Sequence, residues 1–397
     1  AAPAPWTHRF AALKSRKNLW VGVTLIAIFF LVLFFNTYFN MTSNANINPN
    51  GTDLATKYYL SGPDPYYNMR LVQTTSDTGR FPYYSSNDPL LNYPIGKSGG
   101  RAPLMVMTAI GFSKLLVPFM SEGNALGLSM QFIPALWGAL LIFPVYFIGK
   151  AIFGRKEGII AALLIAIIPI EISSGHGSAF ALFDHDSFNL LLYFLTFLFF
   201  LLSIKEKDRI KSILYAVLAG IPLAALSMVW VEAEYLYTII AIYVIVQLIF
   251  DIVLKKTEGR FVRSASLTLF TGVLVSLPVI IVSDVPIGVP FYLAVGVTLF
   301  GLVCLVFKKW NIPWLIAIPV IAGIAGLAAG FLYVVYALPS MVPKFLSPLN
   351  SISDILYGTG IYGSKVSMTI AEAGTYNISR TVMSYGPAVY WLAWFGF

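Results

Sequence analysis

Asp184-His185-Asp186 places two carboxylates two residues apart, directly before an apolar block that begins at Ser187. Two such charges repel each other unless a cation relieves them. An Asp-x-Asp pair with open coordination suits a hard divalent ion, Mn²⁺ or Mg²⁺. The local alternative is that aspartate starts a helix and favours the positive end of its dipole. A second stretch reads Gly62-Pro63-Asp64-Pro65-Tyr66-Tyr67-Asn68-Met69-Arg70. There the local reading is a helix N-cap at Asp64 with Pro65 at N1, and Asp88-Pro89 repeats the pattern. A third, Ser367-Met368-Thr369-Ile370-Ala371-Glu372-Ala373, holds a single glutamate that on its own reads as solvated. Glu232 and Glu234 form a further carboxylate pair after Trp230. His8, His176 and His185 are too few and too scattered for a histidine-based zinc site, and His185 reads as a neighbour of the two aspartates rather than a ligand.

The elements that must carry these residues are membrane helices. Hydrophobic residues make up 58% of the 397 and charged residues 11%, where a soluble domain has about a quarter charged. The apolar residues fall in long blocks, which read as bilayer spans and therefore as helices. The blocks lie at 19–39, 102–120, 125–149, 158–173, 187–203, 212–229, 235–250, 264–283, 289–307, 313–336 and 383–397. Nothing resembles the short alternating strands of a membrane β-barrel. The single cysteine, Cys304, excludes a disulfide framework within the chain and any cysteine-based metal site.

Basic residues set the orientation. They cluster at 9–17, 150–156, 205–211, 255–263 and 308–309. All five clusters fall on the cytoplasmic side only if block 102–120 does not span. That block then lies on the membrane surface or packs within an external loop, leaving ten spans. The net charge of +8 is thus spread over cytoplasmic loops, with no patch for nucleic acid. Of the 18 acidic residues, Glu157, Glu206, Asp208, Asp251 and Glu258 are cytoplasmic and the rest lie outside or at the outer boundary. Two external segments are long, 40–124 and 337–382. The second contains Gly358, Gly360, Gly363 and Gly374, a composition suited to a segment that orders over bound substrate or to a plain linker. The tyrosines of the first loop, Tyr58 to Tyr93, suit an interfacial aromatic belt or sugar stacking. The sequons Asn40-Met-Thr and Asn377-Ile-Ser are external in this topology, so self-modification is open to them, although chance occurrence explains them as well.

Taken together, Asp-Pro-Tyr-Tyr after the first span, Asp-x-Asp in the second external loop and Thr-Ile-Ala-Glu late in the chain resemble the catalytic subunit of oligosaccharyltransferases. The Thr369-Ile370-Ala371-Glu372 form is similar to archaeal and bacterial members. The resemblance implies a GT-C-type membrane helix bundle of thirteen spans followed by a soluble external domain. The chain then corresponds to the N-terminal transmembrane part, 1–397, of a longer subunit. It further implies transfer of a glycan from a dolichyl (polyprenyl) phosphate or diphosphate donor to the asparagine of Asn-x-Ser/Thr in an acceptor polypeptide. Asp64 and Glu372 are implied to hold the acceptor amide, with Thr369 beside it. Asp64, Asp184 and Asp186 are implied to hold Mn²⁺ or Mg²⁺. Members often carry an arginine upstream of Asp-x-Asp, where this sequence has Gly175-His176-Gly177. Protein O-mannosyltransferases place an Asp-Glu pair in the first loop, whereas Pro65 follows Asp64 here. A cation-binding transporter is the non-enzymatic alternative, but transporters carry charge near mid-membrane, and these spans are almost free of charge at their centres.

Overall fold

The computed structural model describes residues 16–42, 47–82, 86–91, 93–98, 101–167, 178–230, 235–253, 259–285 and 289–310, with isolated positions at 382, 390, 391 and 394. The sequence blocks at 313–336 and 383–397, the loop 337–382, Glu232 and Glu234 therefore lie outside, or almost wholly outside, the described residues. The described chain is all-α apart from one pair of two-residue strands. In chain order the helices are α1 (Arg16–Thr42), α2 (Leu54–Lys57), α3 (Pro63–Thr78), α4 (Leu104–Leu116), α5 (Glu122–Leu140), α6 (Ile142–Ile152), α7 (Arg155–Ile167), α8 (Asp186–Lys205), α9 (Arg209–Val229), α10 (Tyr235–Val253), α11 (Gly259–Val282) and α12 (Val289–Lys309). Strands β1 (Asn87–Asp88) and β2 (Lys97–Ser98) pair antiparallel between α3 and α4.

Among the described residues five helical segments are long and apolar enough to cross a membrane: Leu19–Tyr38, Glu122–Ile152, Asp186–Lys205, Arg209–Val229 and Arg260–Val282. The chain is an integral membrane protein. Many large apolar side chains point outward, among them Trp20, Phe30, Phe34 and Ile239, as expected where lipid replaces water. Helices α8, α9 and α11 pack side by side through small residues. A Cβ at Gly220 of α9 would meet the Thr268 carbonyl oxygen of α11 at 2.8 Å, so glycine is what permits this close approach. The Thr268 hydroxyl donates across the same contact to the Ala216 carbonyl at 3.1 Å.

Block 102–120 becomes α4, a 13-residue helix. At 1.5 Å per residue it is about 20 Å long, short of the ~30 Å hydrocarbon core. It packs on α3 and α5 and is fastened by the buried Ser129 hydroxyl, which donates to the Ala109 carbonyl at 2.7 Å. It is a short helix packed against its neighbours in the bundle.

Candidate functional site

Helix α3 begins one residue earlier than the sequence suggests. Gly62 is the N-cap at φ +95°, Pro63 takes N1, and Asp64 sits inside the first turn. The Asp-Pro capping expectation for Asp64 is therefore corrected. A proline directly after a residue with positive φ fixes the start of the helix, and Asp64 adds its charge to the dipole's positive end without capping it. The same expectation fails at Asp88, which lies in β1 and accepts both terminal nitrogens of Arg70 (Nη1 to Oδ1 2.8 Å). That guanidinium, followed by the backbone N–H groups of Leu90 and Leu91, holds the Asp88 carboxyl below its ordinary range despite partial burial.

Asp184 and Asp186 flank the start of α8, whose N-cap is His185 without a side-chain cap bond. The segment before it, 178–184, is a hub that ties several helices together. The Phe180 N–H donates to the Asn36 carbonyl of α1 at 2.9 Å, and the Ala181 N–H to the Gln131 carbonyl of α5 at 2.8 Å. The Ala181 carbonyl accepts from the Ser61 N–H at 2.9 Å. Asn68, buried on α3, donates through Nδ2 to the Phe183 carbonyl at 3.0 Å. Ala181 sits at φ +70°, a conformation strained for a residue with a Cβ and held by these bonds on both sides. Phe180 and Phe183 are fully buried beneath. Asn68 lies four residues after Asp64, on the same helix face. This side chain thus ties the helix that carries Asp64 to the segment that ends in Asp184.

His185 Nδ1 bonds the Asp184 carboxylate at 2.6 Å, and Nε2 stands 3.6 Å from Asp186. The imidazole lies over Trp230, with ring centroids 4.8 Å apart. Burial pushes the Asp184 carboxyl up, but the hydrogen bond and charge of His185, with the charge of Arg101, outweigh it and hold it below its ordinary value. For His185 burial acts downward, yet Asp184 and Asp186 outweigh it and raise the imidazole above its ordinary value. Asp184 is 15% exposed, whereas Asp186 and Asp64 are 57% and 56% exposed. Arg101, just ahead of α4, donates from Nη2 to Asp64 Oδ1 at 2.8 Å. Arg101 thus pairs with Asp64, and its charge is the weakest of the influences on Asp184. Asn68 links the Asp64 helix to the segment ending in Asp184, and Asp186 stands 3.6 Å from the imidazole that Asp184 bonds. Among the described residues no group of three or more His, Cys, Asp or Glu side chains gathers into one metal-holding cluster. Glu372 and Thr369 lie outside the described residues. Sequence reasoning missed Arg101 and Asn68. The four-residue step from Asp64 signals Asn68, but no local pattern marks Arg101.

Beside Asp64 a cleft of about 270 Å³ is lined by Tyr67, Arg70, Asp88, Phe81 and Arg101. Both guanidinium groups lie against the Tyr67 ring, at 5.2 Å for Arg70 and 5.7 Å for Arg101. The cleft shares Phe81, Pro82, Thr74 and Ser86 with a larger, mainly apolar groove that runs to Leu104 and Met107 of α4 and to Met228 and Val279 near the C-terminal ends of α9 and α11.

The family described as oligosaccharyl transferase STT3, N-terminal, matches residues 28–378. The chain belongs to the STT3 oligosaccharyl transferase family. Among curated members, the dolichyl-phosphooligosaccharide-protein glycotransferase 3 of Archaeoglobus fulgidus is 33% identical over 31% of this chain and 14% of its own length. The dolichyl-monophosphooligosaccharide–protein glycotransferase AglB of Haloferax volcanii is 25% identical over 56% of this chain and 22% of its own. Of solved structures, the archaeal oligosaccharyltransferase AglB from Archaeoglobus fulgidus, in complex with an inhibitory peptide and a dolichol-phosphate, superposes with a TM-score of 0.68. It is 19% identical, over 95% of this chain and 44% of that one. An Archaeoglobus fulgidus oligosaccharyltransferase tethered to an acceptor peptide containing the NVT sequon matches with a TM-score of 0.62 at 20% identity, over 94% and 42%. The same enzyme in complex with Zn and sulfate matches with a TM-score of 0.58. The chain spans less than half the length of the relatives it matches, and the STT3 fold is what the solved structures share with it.

Proposed function

We propose that this STT3 chain is the membrane catalytic part of a metal-dependent oligosaccharyltransferase, acting on the extracytoplasmic face. It would transfer a glycan from a dolichyl phosphate or diphosphate to the asparagine of Asn-x-Ser/Thr. The reading rests above all on the fastening of Asp64 to Asp184 through Asn68, which keeps two distant carboxylates on one face. The donor chemistry suits a hard cation. Asp184 is kept ionised by its neighbours, and Asp64 already requires a positive partner. Mg²⁺ and Mn²⁺ bind through one or two carboxylates and retain waters, so a full protein cage is not needed. Asp64, Asp184 and Asp186 would hold the ion, which supplies positive charge opposite a departing phosphate.

The chain's own residues supply the rest. An amide nitrogen is a weak nucleophile because its lone pair is delocalised into the carbonyl. Asp64 and Glu372, accepting its hydrogens, would hold the nitrogen in line with the anomeric carbon and oppose that delocalisation, with Thr369 beside the acceptor. The Arg70–Tyr67–Arg101 cleft offers cationic donors for phosphate, and the adjoining apolar groove suits a polyprenyl tail. The family's thirteen-span bundle, the extracellular domain beyond it and a role for the segment 337–382 over bound substrate belong to the same proposal. The test is transfer of glycan to a fluorescent Asn-x-Thr peptide by the full-length protein in membranes, with and without EDTA. Transfer should stop with EDTA, return with Mn²⁺ and fall at least about 100-fold in Asp64→Ala, Asp184→Ala and Glu372→Ala, comparable to removal of one electrostatic stabiliser. Transfer indifferent to EDTA and to all three substitutions would remove these residues from the chemistry.

A further inference from the structure

Two arginines face the same tyrosine on the outer face, and they are held differently. Arg70 gives both terminal nitrogens to Asp88, whose carboxylate is 14% exposed. Arg101 gives one bond to Asp64, whose carboxylate is 56% exposed. A bidentate, largely buried pair is fixed in place, whereas an exposed single contact opens readily. Arg101 thus stands between the exposed Asp64 carboxylate and the Tyr67 ring. Its guanidinium already lies against Tyr67 at the wall of the cleft while it holds Asp64, so losing Asp64 leaves it a partner.

We propose that Arg101 is a resident counter-cation of the site, competing with a divalent ion for Asp64 and left on the Tyr67 ring of the cleft when the ion enters. The inference rests on the metal reading given above. It assigns Arg101 a positioning role: in the empty site it neutralises Asp64, and in the filled site it is freed towards anionic groups in the cleft.

The experiment is a Mn²⁺ titration of the full-length protein followed by electron paramagnetic resonance, which reports free Mn²⁺ without any turnover. Asp184→Asn identifies the relevant site as the binding it abolishes. Arg101→Met keeps an unbranched stem against Tyr67 and removes the charge. Mn²⁺ should then bind about fivefold tighter, the factor an exposed ion pair contributes at the upper end of its usual range. Arg101→Lys, which keeps the charge, should stay within about twofold of the parent. Should Arg101→Met lower the melting temperature, Arg101→Gln is titrated in its place. Unchanged or weaker binding in the charge-removing variant overturns the competition while leaving the metal site standing. Absence of any Asp184-dependent Mn²⁺ binding in the parent protein overturns the metal reading and this inference with it.

Discussion

Replacing Asn68 separates the two carboxylate motifs without touching either. Asn68 is 4% exposed and bridges to the Phe183 carbonyl at 3.0 Å. Its amide bond contributes about 0.5–1.5 kcal/mol net, and a buried carbonyl left without its donor costs about 1–3 kcal/mol. In Asn68→Ala the apposed arrangement of α3 and the 178–184 segment should lose about 1–3 kcal/mol. At about 1.4 kcal/mol per tenfold, that is roughly 5- to 150-fold in its population relative to separated states. Asn68→Leu fills the same volume without a donor, so it distinguishes the lost bond from a lost side chain. The assay is twofold: Mn²⁺ affinity by electron paramagnetic resonance and transfer to an Asn-x-Thr peptide. Both variants should weaken Mn²⁺ binding and slow transfer at subsaturating Mn²⁺, with partial recovery at high Mn²⁺, because the ion itself draws the two carboxylates together. Wild-type affinity and wild-type transfer in both would refute the reasoning that this bond holds the motifs as a unit. Loss in Asn68→Ala with full recovery in Asn68→Leu would place the effect in packing instead.

Gly127 of α5 lies under the Tyr58 ring, and a Cβ there would fall inside the ring's contact envelope. Gly127→Ala should therefore lower the detergent melting point, at a cost of about 1–3 kcal/mol, and loosen the Tyr58 and Lys57 contacts to Asn124, each 2.8 Å. Adding Tyr58→Ala to Gly127→Ala should recover part of the loss in a double-mutant comparison. Asp88, whose folded carboxyl titrates below its ordinary 3.8, stabilises the segment between α3 and α4 above that value. The contribution is lost as pH falls through the lower folded value. Protease resistance of the parent loop should thus decline below about pH 4, and Asp88→Asn should be less resistant at pH 7 with a flatter acid limb.

The helices were legible because lipid imposes a long apolar run on each of them. Block 187–203 and helix Asp186–Lys205 agree to two residues, as do block 125–149 and the segment Glu122–Ile152 to three. Block 102–120 and α4, Leu104–Leu116, agree at their start to two residues. The details of the acidic segments were less so. Asp64 was displaced from the cap by Pro63 and a glycine at positive φ, and Asp88 was drawn out of any cap by Arg70, 18 residues away. The partners that organise the site are farther still: Arg101 is 37 residues from Asp64 and Phe183 is 115 from Asn68. Separations of that order leave no trace in periodicity, which reports only what a helix does with its own neighbours.

Asn36 carries an amide in the first membrane helix, and its buried side chain donates to the Ala135 carbonyl at 3.4 Å and the Ser178 hydroxyl at 3.1 Å. Its backbone carbonyl receives the Phe180 N–H. The Ser178 partner is made 142 residues later, roughly 10–30 s at ordinary rates of synthesis. The polar seat of the first helix is therefore complete only once the stretch that leads into Asp184 is in place, so the fastening of α1 and the delivery of that carboxylate belong to the same late step of folding.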